Sequence, residues 1–180
     1  MLLKRGFQLS SKPHLVIVGL MGVGKSTLGK AYADAHGLAY ADSDDDIERL
    51  FDANGGEVAD RWGIEALHEI EAGVLLGALA STTPTVVTAA ASIVEKPSVR
   101  EALKITATTV WLEGDLDETH RRQGKGDHRR PMSRVDLEAL AARRRPMFEE
   151  VADLRLDANK TPTELTGEMD QFFREASLRQ

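Results

Sequence analysis

The chain contains no cysteine. Disulfides, thiolate zinc sites, iron–sulfur clusters and a cysteine nucleophile are therefore excluded, and a reducing, cytoplasmic setting is the expectation. Aromatic residues are scarce, at 5%, and the 23 Lys and Arg are outnumbered by 29 Asp and Glu, for a formal net charge of −6. Nucleic acids and anionic membrane surfaces both call for a basic face, so neither is expected as a partner. Long apolar runs are missing as well. No stretch of about 18 uncharged apolar residues occurs, and the amino end, MLLKRGFQLSSKP, lacks an apolar centre long enough for a signal peptide.

What is present suits a soluble globular protein: 42% hydrophobic and 29% charged residues in a chain of 180. That length gives one domain with a full core. HLVIVGL (14–20) is an apolar run ending in glycine, and STLGKAYADAHG (26–37) has helical spacing at Leu28, Ala31, Tyr32 and Ala35, closed by Gly37. The pair reads as strand, loop, helix. LAYAD (38–42), VVTAAA (86–91) and TTVWLEG (108–114) read as further strands, with helical segments between them. Strands alternating with helices imply an α/β fold with a parallel sheet. The segment 64–80 carries Leu67, Ile70, Val74, Leu75, Ala78 and Leu79 on one helical face. Capping patterns mark two more helix starts, SVRE at Ser98 and TPTE at Thr161 with Pro162 in the first helical position. The polar stretch 121–134, RRQGKGDHRRPMSR, reads as a loop.

GLMGVGKST carries the chemistry. It satisfies G-x-x-x-x-G-K-[ST] at Gly19, Gly24, Lys25 and Ser26, after an expected strand and before an expected helix. Glycines such as Gly22 and Gly24 let backbone N–H groups turn inward around phosphate oxygens, with the positive end of the helix behind them. Lys25 can reach the β- and γ-phosphates, and Ser26 can ligate Mg²⁺. The chain is expected to bind a nucleoside triphosphate.

After the second strand comes DSDDDIE. Asp42 and Asp44 are two apart, so in extended chain their carboxylates point the same way, one to steady Mg²⁺ and one to face an incoming hydroxyl. Asp45, Asp46 and Glu48 fit the first turn of a helix, where the dipole favours acids. Phosphoryl transfer also calls for a cation over the transferred group. Arg129 or Arg130 in DHRRPM, and Arg143, Arg144 or Arg145 in ARRRPMF, are candidates, though two or three of them belong to a solvated surface.

Taken in order, these landmarks resemble the shikimate kinases, small P-loop phosphotransferases of the nucleoside-monophosphate-kinase-like group. The likeness runs from about Leu15 to Phe172: the P-loop at 19–27 with Thr27 at its end, the D-x-D, Gly63 followed by a helix with Glu71, RRP at 129–131, and RRPMF at 144–148. The resemblance implies an α/β P-loop fold of three αβα layers, with a five-stranded parallel sheet, a lid and a small helical substrate-binding region. As one P-loop kinase domain over 1–180, its core would span about 13–175, the acceptor-binding region about 43–72 and the lid about 121–134. By the same resemblance Asp42 would assist Mg²⁺, and Asp44 would hold and deprotonate the accepting hydroxyl. Arg130 would close on the phosphates, Arg144 would pair with an acceptor carboxylate, and Arg122 and Pro162 would flank adenine.

Two places depart from that pattern. The family's Gly-Gly-Gly at the end of the third strand is aligned here with Ala90, Ala91 and Ser92, whose side chains restrict both φ and close approach. An arginine that grips the acceptor carboxylate is replaced by His68, which offers one donor per edge and only part-time charge. A histidine merely paired with Glu71 one helical turn on is the plainer reading of His68, and close strand packing that of the alanines. The phosphate side is intact and the acceptor side altered. The expectation is thus an ATP- and Mg²⁺-dependent kinase acting on a hydroxyl of a small shikimate-like or other polyhydroxylated compound, for which Arg144 keeps one carboxylate contact. An ordinary shikimate kinase is the alternative. A non-catalytic nucleotide-binding switch and a nucleoside monophosphate kinase are further ones.

Overall fold

A computed structural model of the protein describes residues 12–123 and 132–178. Arg129, Arg130 and Pro131, assigned by resemblance to the lid, lie outside the described residues. Five strands form one parallel sheet: β1 (His14–Val18), β2 (Ala39–Asp42), β3 (Thr85–Thr88), β4 (Ala107–Glu113) and β5 (Leu154–Asp157), in the order β2-β3-β1-β4-β5. Among the described residues eight helices accompany them: α1 (Lys25–His36), α2 (Ser43–Phe51), α3 (Gly55–Trp62), α4 (Ile64–Leu79), α5 (Pro97–Thr106), α6 (Leu116–Gln123), α7 (Arg134–Val151) and α8 (Pro162–Ser177). This is the three-layer α/β architecture that the family resemblance implied.

The central strand shows why the apolar run reads as it does. All five residues of β1 are buried, and successive side chains point to opposite faces. Leu15 and Ile17 join Val110, Leu112, Leu28, Tyr32, Met169 and Phe173 beneath α1 and α8. Val16 and Val18 join Trp111, Leu75, Leu79, Leu103 and Phe148 beneath α4, α5 and α7. A smaller cluster of Ile47, Ala53, Val58 and Leu67 binds α2, α3 and the start of α4 into a separate helical lobe within 43–72.

Local details correct several sequence expectations. β3 ends at Thr88, so the alanines leave the strand, although Ala89 N–H still donates to Ile17 O at 3.2 Å. A 3₁₀ turn at Ile93–Glu95 then carries the chain away from the sheet. α5 begins at Pro97 with Lys96 as its N-cap rather than Ser98, because proline, with φ already set and no N–H to satisfy, takes the first helical position. The cap at Thr161 forms as expected, with Glu164 closing the box back to the Thr161 amide. β5 has no local signature: as an edge strand it fully buries only Leu156. The stretch 121–134 is helical at both described ends, where α6 reaches Gln123 and α7 starts at Arg134. Among the described residues no helix is long and apolar enough to cross a membrane.

Candidate active site

The loop after β1 and the turn after β3 lie side by side because β1 and β3 are neighbours in the sheet. Between them opens a cleft of about 740 Å³ at the carboxyl ends of the strands, where ligands of open α/β sheets bind. Gly19 must be glycine: its φ is +149°, and a Cβ there would stand 2.4 Å from the Leu112 carbonyl oxygen. Gly24, at φ +106°, turns the loop into the amino end of α1. Lys25 Nζ lies across the loop, donating to Gly19 O at 3.1 Å and Leu20 O at 3.0 Å. Gln123 Nε2 donates to Met21 O at 3.2 Å, which ties α6 to the loop. Gly22, Gly24, Lys25, Ser26, Thr27 and Arg122 all line the cleft.

Asp42 forms the opposite edge and is 7% exposed. Burial pushes its carboxyl pKa up, but hydrogen bonds from Ser26, Thr88, Tyr40 and the Asp44 amide outweigh burial and hold it below the usual carboxylate range. Two of those donors could not be read from the motif. Thr88 Oγ1 donates to Asp42 Oδ2 at 2.7 Å, and Tyr40 Oη donates to the same oxygen at 2.8 Å. Thr88 is the cross-strand partner of Asp42, a relation set by sheet register alone, while Tyr40 is two residues back on the same strand face. Burial, with the neighbouring carboxylate, pushes the Tyr40 hydroxyl pKa well above the normal phenol value.

The extended D-x-D of the sequence reading is not what forms. Asp42 caps α2, its Oδ1 accepting the Asp44 N–H at 3.0 Å, so Asp44 sits in the first helical turn. The turn still brings both onto one cleft, Asp42 buried and Asp44 exposed. Ser26 Oγ and the Asp42 carboxylate fit Mg²⁺, which keeps several waters and takes one or two carboxylates plus phosphate oxygens. Among the described residues no group of three His, Asp or Glu forms a complete metal cage.

Beyond Thr88 the wall of the cleft is Ala89, Ala90 and Ala91, at 2%, 7% and 6% exposure, one residue earlier than the sequence alignment set it. These alanines belong to the core as well as to the cleft. Ser92 is not on the wall. It donates to Glu71, whose side chain is fully buried on α4. His68 and Pro162 do not line the cleft. Arg144 does not line the cleft either: it is 6% exposed, with its Nε donating to Glu95 Oε1 at 2.7 Å. Lys30, Asp45, Glu48, Asn54, Gly55 and Gly56 also line it. Sequence reasoning gave Asp45 and Glu48 only a helix-terminus role and passed over the other four.

Comparisons with known proteins give the family. The family model for shikimate kinase matches residues 21–174. A shikimate kinase of Francisella philomiragia is 29% identical over 171 residues, covering 92% of this chain and 97% of that protein. Shikimate kinase 1 of Yersinia enterocolitica is 32% identical over 154 residues, covering 82% and 88%. Among solved structures, shikimate kinase from Acinetobacter baumannii in complex with shikimate superposes with a TM-score of 0.84 at 25% identity, covering 92% of this chain and 95% of that one. With its P-loop, parallel sheet and helical lobe in the corresponding order, the chain belongs to the shikimate kinase family of small-molecule phosphotransferases.

Proposed function

We propose that the protein transfers the γ-phosphoryl group of ATP to a hydroxyl of a small, shikimate-like polyhydroxylated compound. The observation that carries this reading is one cleft shared by Lys25 and Ser26 on one edge, Asp42 and Asp44 on the other, and the alanine wall between them. The acceptor oxygen forms the new bond to the γ-phosphorus as the bond from that phosphorus to the β,γ-bridging oxygen breaks, and ADP leaves. Asp44 orients the hydroxyl and takes its proton. Lys25 swings from the Gly19 and Leu20 carbonyls onto the phosphate oxygens, meeting charge where it develops. Mg²⁺, when bound, neutralises the phosphates. Ser26 supplies it with a hydroxyl and Asp42 with a carboxylate kept ionised by its four hydrogen bonds. Arg122, beside Gly24, is suited to cover the base, and Arg130 is the lid cation of this reading.

Phosphorylation of shikimate itself is the second reading, favoured by the relatives named above. A switch that binds ATP without transfer ranks behind both, since the candidate base and the phosphate cradle face one cleft. The test is coupled ADP release with ATP and Mg²⁺, with and without millimolar shikimate. Strong stimulation supports the second reading. Stimulation by other polyhydroxylated compounds alone supports an altered acceptor. Bound ATP with no transfer to any of them refutes the kinase reading.

A further inference from the structure

α6 lies against the loop that joins β1 to α1. A Cβ built on Gly22, whose φ is +81°, would stand 3.2 Å from Thr119 O and 3.3 Å from Gln123 Cγ, so the loop and the buried face of α6 are in direct contact. Thr119 and Gln123 are both buried. The helix is pinned in turn to the amino end of α7, where His120 Nε2 donates to Met132 O at 3.0 Å and Arg134 Nε donates to Asp117 Oδ1 at 2.6 Å. Gln123 does not line the cleft, but Met21 and Gly22, which it touches, do.

A phosphate-binding loop works by turning its N–H groups inward and its carbonyl oxygens away. Lys25 Nζ holds the carbonyls of Gly19 and Leu20, but in the kinase reading it leaves them for the phosphates. The next carbonyl, Met21 O, accepts from Gln123 Nε2 at 3.2 Å, a donor that stays in place when Lys25 moves. A trans peptide sets its C=O and N–H on opposite sides, so fixing Met21 O toward α6 points the Gly22 N–H away from α6.

The other half of this amide shows that stability does not explain it. Gln123 Oε1 is buried and accepts no hydrogen bond among the described residues. Turning the amide over would set its oxygen against Met21 O. A buried acceptor without a donor destabilises, so an apolar side chain of similar shape would be at least as stable here.

We propose that Gln123 is a positioning residue of the nucleotide site: it holds the Met21 carbonyl out of the cleft and so aims the Gly22 N–H at the phosphates of bound MgATP. This deepens the kinase reading above and rests on its nucleotide half alone. Gln123 touches no reacting atom. It acts through the Met21–Gly22 peptide.

The test measures the Kd of MgATP by titration calorimetry, which needs no acceptor, and Tm, for the wild type, Gln123→Met and Gln123→Leu. Both replacements remove the donor and the unpaired acceptor together. The expected result is a Kd raised about fivefold or more, with Tm at or above the wild type. Binding and stability then move in opposite directions, whereas a residue that only supported the fold would lower Tm and leave Kd unchanged. An unchanged Kd in a folded variant overturns the inference and leaves the kinase reading standing. A Tm far below the wild type in both variants, or failure of both to fold, also overturns it, because Gln123 would then be a structural residue. A wild type that binds no MgATP removes the P-loop reading and this inference with it.

Discussion

Gly29, in the middle of α1, is where the phosphate-binding helix presses on the network around Asp42. A Cβ built there would lie 2.5 Å from Thr88 Cγ2 and 2.8 Å from Tyr40 Cε2, well inside the ~3.5–4.0 Å at which carbon atoms rest. Neither neighbour can yield freely, because Thr88 Oγ1 and Tyr40 Oη both donate to Asp42 Oδ2. Gly29→Ala should therefore incur an overpacking penalty of about 1–3 kcal/mol. Against it stands a gain of about 1 kcal/mol from helix propensity. Gly73→Ala, on α4, is the control: the same substitution in a helix, with nothing within 4 Å of the new methyl. It should keep the propensity gain and stabilise by about 0.5–1 kcal/mol. The propensity gain is common to both, so the two variants should differ by about 1–3 kcal/mol, which for a chain of this size is on the order of 2–12 °C in Tm. Thermal unfolding followed by circular dichroism measures this. Because α1 begins at Lys25, relief of the clash by helix displacement should also raise KM for MgATP in Gly29→Ala but not in Gly73→Ala. A Gly29→Ala protein that melts as high as Gly73→Ala would refute the argument that this contact is close-packed.

The remaining predictions concern single groups. Lys25→Met should lower kcat on the order of 100-fold or more while leaving the fold intact, checked by steady-state rates, and retained turnover would remove the P-loop lysine from the mechanism. Asp42→Asn should place an amide where Thr88 and Tyr40 donate, lowering stability at pH 7 and weakening the response to Mg²⁺ in a metal titration. The pH sign follows from the depressed native pKa: the stabilisation from ionised Asp42 is full above the unfolded carboxylate value, about 3.9, and is lost as pH falls through the lower native value. Urea midpoints of wild type and Asp42→Asn should accordingly converge between neutral pH and pH 3, and a constant gap would contradict the assignment. Ser92→Ala removes a donor from fully buried Glu71 and should cost about 1–3 kcal/mol in stability with little change in acceptor KM. A changed KM at unchanged Tm would return Ser92 to the acceptor wall.

How much was legible follows from how local each signal is. The P-loop was fully readable, since glycine spacing, lysine, hydroxyl and flanking strand and helix all fall within one short stretch. The central strands and the α4 face were readable for the same reason: apolar spacing at period 2 or 3.6 reports directly which side is buried. Ordered landmarks gave the family as well. Sheet register was not readable, and register is what puts Thr88 opposite Asp42 and turns one acidic residue into a four-donor site. Nor was the geometry of the D-x-D, because a helix cap and an extended strand both accommodate Asp at the first position. β5, half exposed at the sheet edge, has too weak an apolar pattern to announce itself. The pairing of Glu95 with Arg144 spans 49 residues and joins a 3₁₀ turn to a long helix, so no window along the chain contains it. The sequence by itself determined the P-loop and its place between a strand and a helix. The tertiary structure decided what faces that loop, because electrostatic partners are chosen by distance in space, and distance between segments is a property of the packed sheet and helices.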